Sequence, residues 1–388
     1  MHAMPVALID LILLAAAAQG LFLAVLIFHK HRALVANRFL GTLILLYSCM
    51  LLHMVVYDLG LYGTHLLFVP MVVGFAFTMG PLHYFYVKYL TSPGRRFGRG
   101  EWLHFIPVLA FEAACVEAFR FHGGRLFGLH GEVMGIQAGM FLLNWILIIQ
   151  AAAYMAVSLK ILKPYGDAIR REFSTIDKVR LDWLQAITVM VLAFLGVFLA
   201  ENVLMLAGIN FSNYFNLTSF LMAVYVYVIG YMGLFKSVVF EDPTTADAIT
   251  RMIPAEPAPG IAEPQEKYGK SGLTAEKAEA FHRTLLRLMD EKRPYADPDL
   301  TLAGLADMLG VTAHNLSEVI NTRTGQTFFD FVNKYRVEKV IEEMKKPDKS
   351  HLKLLALAFE AGFNSKSSFN SIFKRVTGKT PSDFRKQA

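Results

Sequence analysis

The chain has little of the material from which soluble proteins are usually built. Only 18% of its 388 residues are charged, and its mean hydropathy is +0.40. Soluble chains carry about 25% charged residues, so a wholly soluble fold is not expected, and global disorder is excluded. Cysteine is scarce, with two in 388 residues, which rules out a disulfide scaffold. Cys49 and Cys115 fall in apolar runs and read as small buried residues. The sequence has no HExxH or comparable metal-ligand spacing, no catalytic triad arrangement and no phosphate-binding glycine loop. No enzyme, metal or cofactor is therefore expected. Basic residues are also missing ahead of the first apolar run, which speaks against a secretory signal peptide.

What the chain does have is unevenly distributed. Nearly all long apolar stretches precede Phe240, while half of the 38 lysines and arginines follow residue 272. The pattern predicts an all-α protein with a membrane domain over 1–240, a linker over 241–272 and a soluble domain over 273–388. Seven apolar runs approach or exceed the roughly 20 residues needed to cross the hydrocarbon layer. They are Met4–Phe28, Phe39–Tyr57, Leu66–Leu90, Leu103–Phe119, Val133–Leu159, Leu184–Ala207 and Leu217–Phe235. The first, third and fifth connections hold most of the lysine and arginine, whereas the second and sixth hold none. Cytoplasmic loops carry the positive charge, so the N-terminus is expected outside and the C-terminus in the cytoplasm. Trp102 and Trp183 fall at predicted cytoplasmic helix ends, as interfacial aromatics would.

Polar groups within spans are costly and point to function. Glu112, Asn144, Glu201 and Asn202 lie deepest and are the candidate ligand-binding residues of a sensor. Interhelical hydrogen bonding is the alternative reading for them. His53, Asp58, His65, Glu117, His122, His130 and Glu132 lie nearer the outer ends or in the fourth connection. Gly80-Pro81 is expected to kink the third span, with His83, Tyr84 and Tyr86 as packing residues. Glu241–Gly272 holds five prolines, almost no large apolar residue and no periodicity. A connector of that composition transmits torque poorly. A signal would then act through proximity, dimerisation, domain docking or cleavage.

The last third reads as all helical and repeats itself. Thr312 and Ser365 are candidate helix caps. Leu316 and Phe369 follow each by four residues, and Thr324-Gly325-Gln326-Thr327 matches Thr377-Gly378-Lys379-Thr380. A short helix with a small residue and a glycine precedes each cap: Ala306 with Gly310, and Ala358 with Gly362. These are two helix-turn-helix units joined by a long helix over Phe328–Lys346. Two recognition helices on one rigid body can enter successive major-groove segments about 34 Å apart.

At these residues the sequence resembles the DNA-binding domain of the AraC/XylS family of transcription regulators. The resemblance is carried by Leu302, Leu305-Ala306, Leu309-Gly310-Val311, Leu316-Ser317, Thr324-Gly325, Arg336, Ala358, Ala361-Gly362-Phe363, Ser365, Phe369, Phe373-Lys374, Gly378, Thr380-Pro381 and Arg385. GPLHYFYV at 80–87, HFIP at 104–107 and the stretch from Ser174 to Trp183 also resemble membrane-bound members with a seven-helix sensor. The resemblance implies that His314, Ser317, Glu318 and Asn321 face DNA from the first recognition helix. From the second it implies Lys366, Ser367, Asn370 and Ser371, with Lys374 and Arg375 in the following turn. Helical geometry independently puts 366, 367, 370, 371 and 374 on one face. Ten bases against three acids from Met344 to Ala388 locate most phosphate attraction in the second unit.

The expected function is a membrane-anchored, sequence-specific transcription regulator. Its expected partners are double-stranded promoter DNA, the lipid bilayer, RNA polymerase and a small-molecule or membrane signal. A homodimer is left open, because two recognition units already let one chain read an extended site. The alternative is a transporter or receptor whose C-terminal helical domain is a regulatory protein-interaction module.

Overall fold

The computed structural model describes residues 3–30, 34–59, 74–92, 95, 97–122, 134–177, 179–206, 209, 217–236, 274–349 and 351–387. The linker expected over Glu241–Gly272 lies outside them, as do His65, His130 and Glu132. The described residues are all-α, with fourteen α-helices and a single isolated β-bridge, Phe173 to Thr301. The chain divides into two compact units: Met1–Pro164 with Leu181–Thr250, and Tyr165–Arg180 with Arg251–Ala388.

The first unit contains α1 (Ala3–Lys30), α2 (Val35–Asp58), α3 (Ala76–Thr91), α4 (Ile106–His122), most of α5 (Met134–Glu172), α6 (Asp182–Leu206) and α7 (Leu217–Lys236). Among the described residues five helices, α1, α2, α5, α6 and α7, are long and apolar enough to cross a membrane. This corrects the expected count of seven. Among the described residues the third apolar run is represented by the 16 residues of α3, with Pro81 inside it. The fourth opens as a 3-10 turn over Arg99–Phe105, leaving 17 α-helical residues in α4. That turn is pinned by Glu101, which accepts from the Gly98 amide at 2.7 Å and pairs with Lys88 at 3.0 Å. Sequence hydropathy registers the apolar residues but not the polar turn that shortens the helix.

α1, α2 and α7 approach closely where glycines face them. A Cβ at Gly20 would fall 2.7 Å from Val226, one at Gly230 would fall 2.6 Å from Leu23, and one at Gly233 would meet Leu40. Small residues are how helices pack tightly without a hydrophobic gradient to drive them together. The polar candidates take part in this packing. Asn144 of α5 donates to Asn202 of α6 at 2.9 Å, Asn202 donates to the Phe198 carbonyl at 2.7 Å, and Thr218 of α7 donates to Glu201. Glu112 lies on α4, with Oε1 buried and without a hydrogen-bond partner among the described residues. His83 is buried between Thr188 (3.0 Å) and Tyr225 (3.3 Å). His83, Asn144 and Thr218 line a mostly apolar cavity of about 170 Å³, whose walls also include Tyr47, Met50, Met54 and Met222.

The second unit contains α8 (Ala275–Lys292), α9 (Leu302–Leu309), α10 (Ala313–Thr324), α11 (Phe328–Met344), α12 (Leu354–Glu360), α13 (Lys366–Thr377) and α14 (Pro381–Gln387). One core joins Leu285 and Met289 of α8 to Leu302, Leu305 and Ala306 of α9, Leu316 and Ile320 of α10, and Phe328, Phe331 and Val332 of α11. Beyond α11 a chain of rings, Phe363–Phe369–Phe373–Phe384, fills the second core at centroid spacings of 5.3, 5.6 and 5.5 Å.

α11 also carries two buried charges. Glu343 is 6% exposed and holds Lys339 at 2.7 Å, Lys346 at 2.7 Å and Lys349 at 2.9 Å. The three ammonium groups keep its carboxyl well below the ordinary carboxylate range. Glu343→Gln would leave three lysines crowded around a neutral amide. The expected cost is about 1–3 kcal/mol, read as a lower thermal unfolding midpoint for the purified protein. An unchanged midpoint would show that the cluster is solvated and contributes nothing.

The second is Arg336, which is 1% exposed. Its Nε donates to the Tyr295 carbonyl (2.8 Å) and its Nη2 to the Asp297 carbonyl (2.8 Å). Three further bonds go to residues 174 and 175: Nη1 to the Ser174 carbonyl (3.2 Å) and Thr175 Oγ1 (3.0 Å), and Nη2 to Ser174 Oγ (3.0 Å). Burial lowers its pKa to about 10, so it stays charged at neutral pH.

Candidate nucleic-acid interface

The repeat seen in the sequence recurs bond for bond. Thr312 Oγ1 accepts from the Asn315 amide at 3.2 Å, and Ser365 Oγ accepts from the Ser368 amide at 3.1 Å, so each caps the helix that follows it. Ahead of each cap, an amide reaches back five residues across a left-handed glycine. Val311 donates to the Ala306 carbonyl (3.1 Å) over Gly310 (φ +65°), and Phe363 donates to the Ala358 carbonyl (3.0 Å) over Gly362 (φ +97°). A Cβ at Gly362 would also run into the Tyr295 carbonyl, so both the conformation and the contact require glycine there.

The exits match as well. α10 and α13 end at Gly325 (φ +67°) and Gly378 (φ +77°). Thr327 and Thr380 then cap the next helices, each donating to an aspartate three residues on (Asp330 at 2.7 Å, Asp383 at 2.6 Å) and accepting that residue's amide at 3.2 Å. The turn from glycine to cap is one residue longer in the second unit, Gly362 to Ser365 against Gly310 to Thr312.

α10 buries Leu316, Val319 and Ile320; α13 buries Phe369, Ile372 and Phe373. The opposite faces carry the expected DNA-facing residues. His314 and Asn321 are exposed on α10, with Ser317 and Glu318 half-buried beside them. Lys366, Ser367, Asn370, Ser371 and Lys374 are exposed on α13. Arg375 is also exposed, but it pairs with Asp330 at 2.8 Å and lies 5.4 Å from the Phe329 ring centroid, so it braces α13 to α11.

A family model described as "Helix-turn-helix domain" matches residues 305–387. The transcriptional regulatory protein YesN of Bacillus subtilis is 30% identical over 105 residues, 26% of this chain and 27% of YesN. A putative AraC-like transcription regulator of Streptomyces lividans is 29% identical over 86 residues, 22% of this chain and 27% of its own length. The C-terminal domain is an AraC-type helix-turn-helix domain. The regulatory protein SoxS of Salmonella typhimurium is 25% identical over 103 residues, which are 26% of this chain but 91% of SoxS. The chain thus spans about a quarter of the length of YesN and of the Streptomyces protein. The AraC-type domain is a transcription-regulator module and not an enzyme.

Charge counting overstated the cations that the AraC-type domain offers to phosphate. Lys346 and Lys349 are held by Glu343, and Arg385 donates to the Leu352 carbonyl at 2.7 Å. Lys366 and Lys374 make no ion pair among the described residues. Neither the buried role of Arg336 nor its partners at 174 and 175 follow from the sequence pattern. The available signal was a lone arginine in the apolar stripe of the α11 segment, where a buried guanidinium demands acceptors from elsewhere.

Proposed function

We propose that the chain is a membrane-anchored transcription regulator, with the AraC-type domain binding promoter DNA from the cytoplasmic side. The observation that carries this reading is the bond-for-bond repetition of cap, turn and exit on one rigid domain, with an exposed polar helix face in each half. Five apolar helices supply the anchor. With five spans the sidedness is the same as that expected from the sequence, because the count is again odd. The connection between α5 and α6 and the C-terminus fall on one side either way, and the basic residues from Lys160 to Arg180 mark that side as the cytoplasm. The packing of residues 174 and 175 on the AraC-type domain supports that common side.

The sensed molecule would enter the cavity lined by His83, Asn144 and Thr218, with Glu201 and Asn202 linking its wall to α6 and α7. Glu112 would serve as a separate contact on α4. RNA polymerase and a second copy of the chain are the further partners of this reading. Genome-wide DNA occupancy of the tagged full-length protein tests it. Discrete peaks that vanish in a Lys366→Ala, Lys374→Ala variant are expected. An absence of peaks from a folded, expressed protein would overturn the reading in favour of a protein-interaction module.

A further inference from the structure

The segment between α5 and α6 is not a free connection. Residues 165–180 fold as part of the DNA-binding unit. Phe173 bridges Thr301, the Ser174 amide donates to the Leu300 carbonyl at 3.2 Å, and Ser174 Oγ donates to the same carbonyl at 2.6 Å. Arg336 takes three of its acceptors from Ser174 and Thr175, and Asn333 donates to the Ser174 carbonyl at 2.8 Å. Two residues later Asp177 accepts a hydrogen bond from Ser365 Oγ at 2.7 Å. Ser365 is the cap of α13, the second recognition helix.

From this geometry we propose that residues 173–177 are an intramolecular ligand of the DNA-binding domain, and that Asp177 competes there with a DNA phosphate. The inference rests on the DNA-binding reading above. The N-terminal end of a helix attracts anions, and recognition helices present that end to DNA. A carboxylate hydrogen-bonded at the cap of α13 occupies a phosphate position and repels the phosphates beside it. The strap also follows α5 directly in the chain, with Glu172 the last residue of that helix and Phe173–Asp177 the next five, so a change at the end of α5 is covalently linked to the cap of α13. The route through residues 241–272 is not needed. Seated, the strap lowers affinity for DNA; withdrawn, it exposes the cap.

Two measurements on the full-length protein in detergent test this, with a long random-sequence duplex at low salt as the probe. Asp177→Asn keeps an acceptor for Ser365 but removes the charge, and is expected to bind roughly three- to tenfold tighter than wild type. Equal or weaker binding overturns the competition. In the second, Asp177→Cys and Ser365→Cys are combined with Cys49→Ser and Cys115→Ser. A disulfide should form under mild oxidation, weaken duplex binding, and release it on reduction. Failure to cross-link shows that the strap is not seated, and equal binding by oxidised and reduced forms shows that seating does not matter. Either result overturns the proposal. If wild type and every variant fail to bind the duplex, the DNA-binding reading itself fails, and this inference fails with it.

Discussion

Replacing Arg336 with alanine is expected to cost the DNA-binding unit about 3–5 kcal/mol, from several buried neutral acceptors left without a donor at about 1–3 kcal/mol each, with relaxation and water recovering part of the sum. The side chain is 1% exposed and makes bonds of 2.8–3.2 Å to the carbonyls of Tyr295, Asp297 and Ser174 and to two hydroxyls. Alanine leaves a cavity and strips the Tyr295 and Asp297 carbonyls of a buried donor. Lysine is not a conservative substitute, because one ammonium cannot reproduce a planar fork that donates to acceptors on several segments at once. Limited proteolysis of native membrane vesicles is the direct readout. Wild type should yield a resistant C-terminal fragment, Arg336→Lys a weakened one and Arg336→Ala none. A wild-type fragment pattern from the alanine variant would mean that the network is dispensable.

The double variant Lys366→Ala, Lys374→Ala is expected to lose affinity for DNA by about 1–3 kcal/mol and to flatten its salt dependence. Each phosphate neutralised contributes about 0.9 to the slope of log affinity against log salt, so two lost contacts should reduce that slope by about 2. Both lysines stand on the exposed face of α13 and carry no ion pair among the described residues, so their removal should leave the fold intact. Arg375→Ala is the contrast. It breaks the 2.8 Å pair with Asp330 and should lower stability more than it changes the slope. An unchanged slope in the double variant would move the phosphate contacts elsewhere on the domain.

Much of this was legible without coordinates, for physical reasons. Caps, left-handed glycines and apolar spacing are local properties, so Thr312, Gly310, Ser365 and Gly378 announced the two helix-turn-helix units. The faces of α10 and α13 follow from helical periodicity once the helices are placed. Span counting did less well, because hydropathy does not register that Glu101 folds the start of the fourth run into a turn. Least legible was everything joining distant parts of the chain. Nothing near residue 336 says that its acceptors lie about 160 positions earlier, and nothing near Asp177 says that it meets Ser365. Asn144, Glu201 and Asn202 were noticed as polar, but their pairing across α5, α6 and α7 depends on how those helices pack.

α11 joins the two helix-turn-helix units of one chain, with Arg375 and Asp330 clamping the second unit to it. Palindromic operators mirror the two-fold axis of a dimer. Two unequal units in tandem have no such axis, since one turn is longer than the other and their exposed side chains differ. A DNA site read by this pair would therefore be non-palindromic and would have a direction, so that inverting it would turn the protein around relative to the start of transcription.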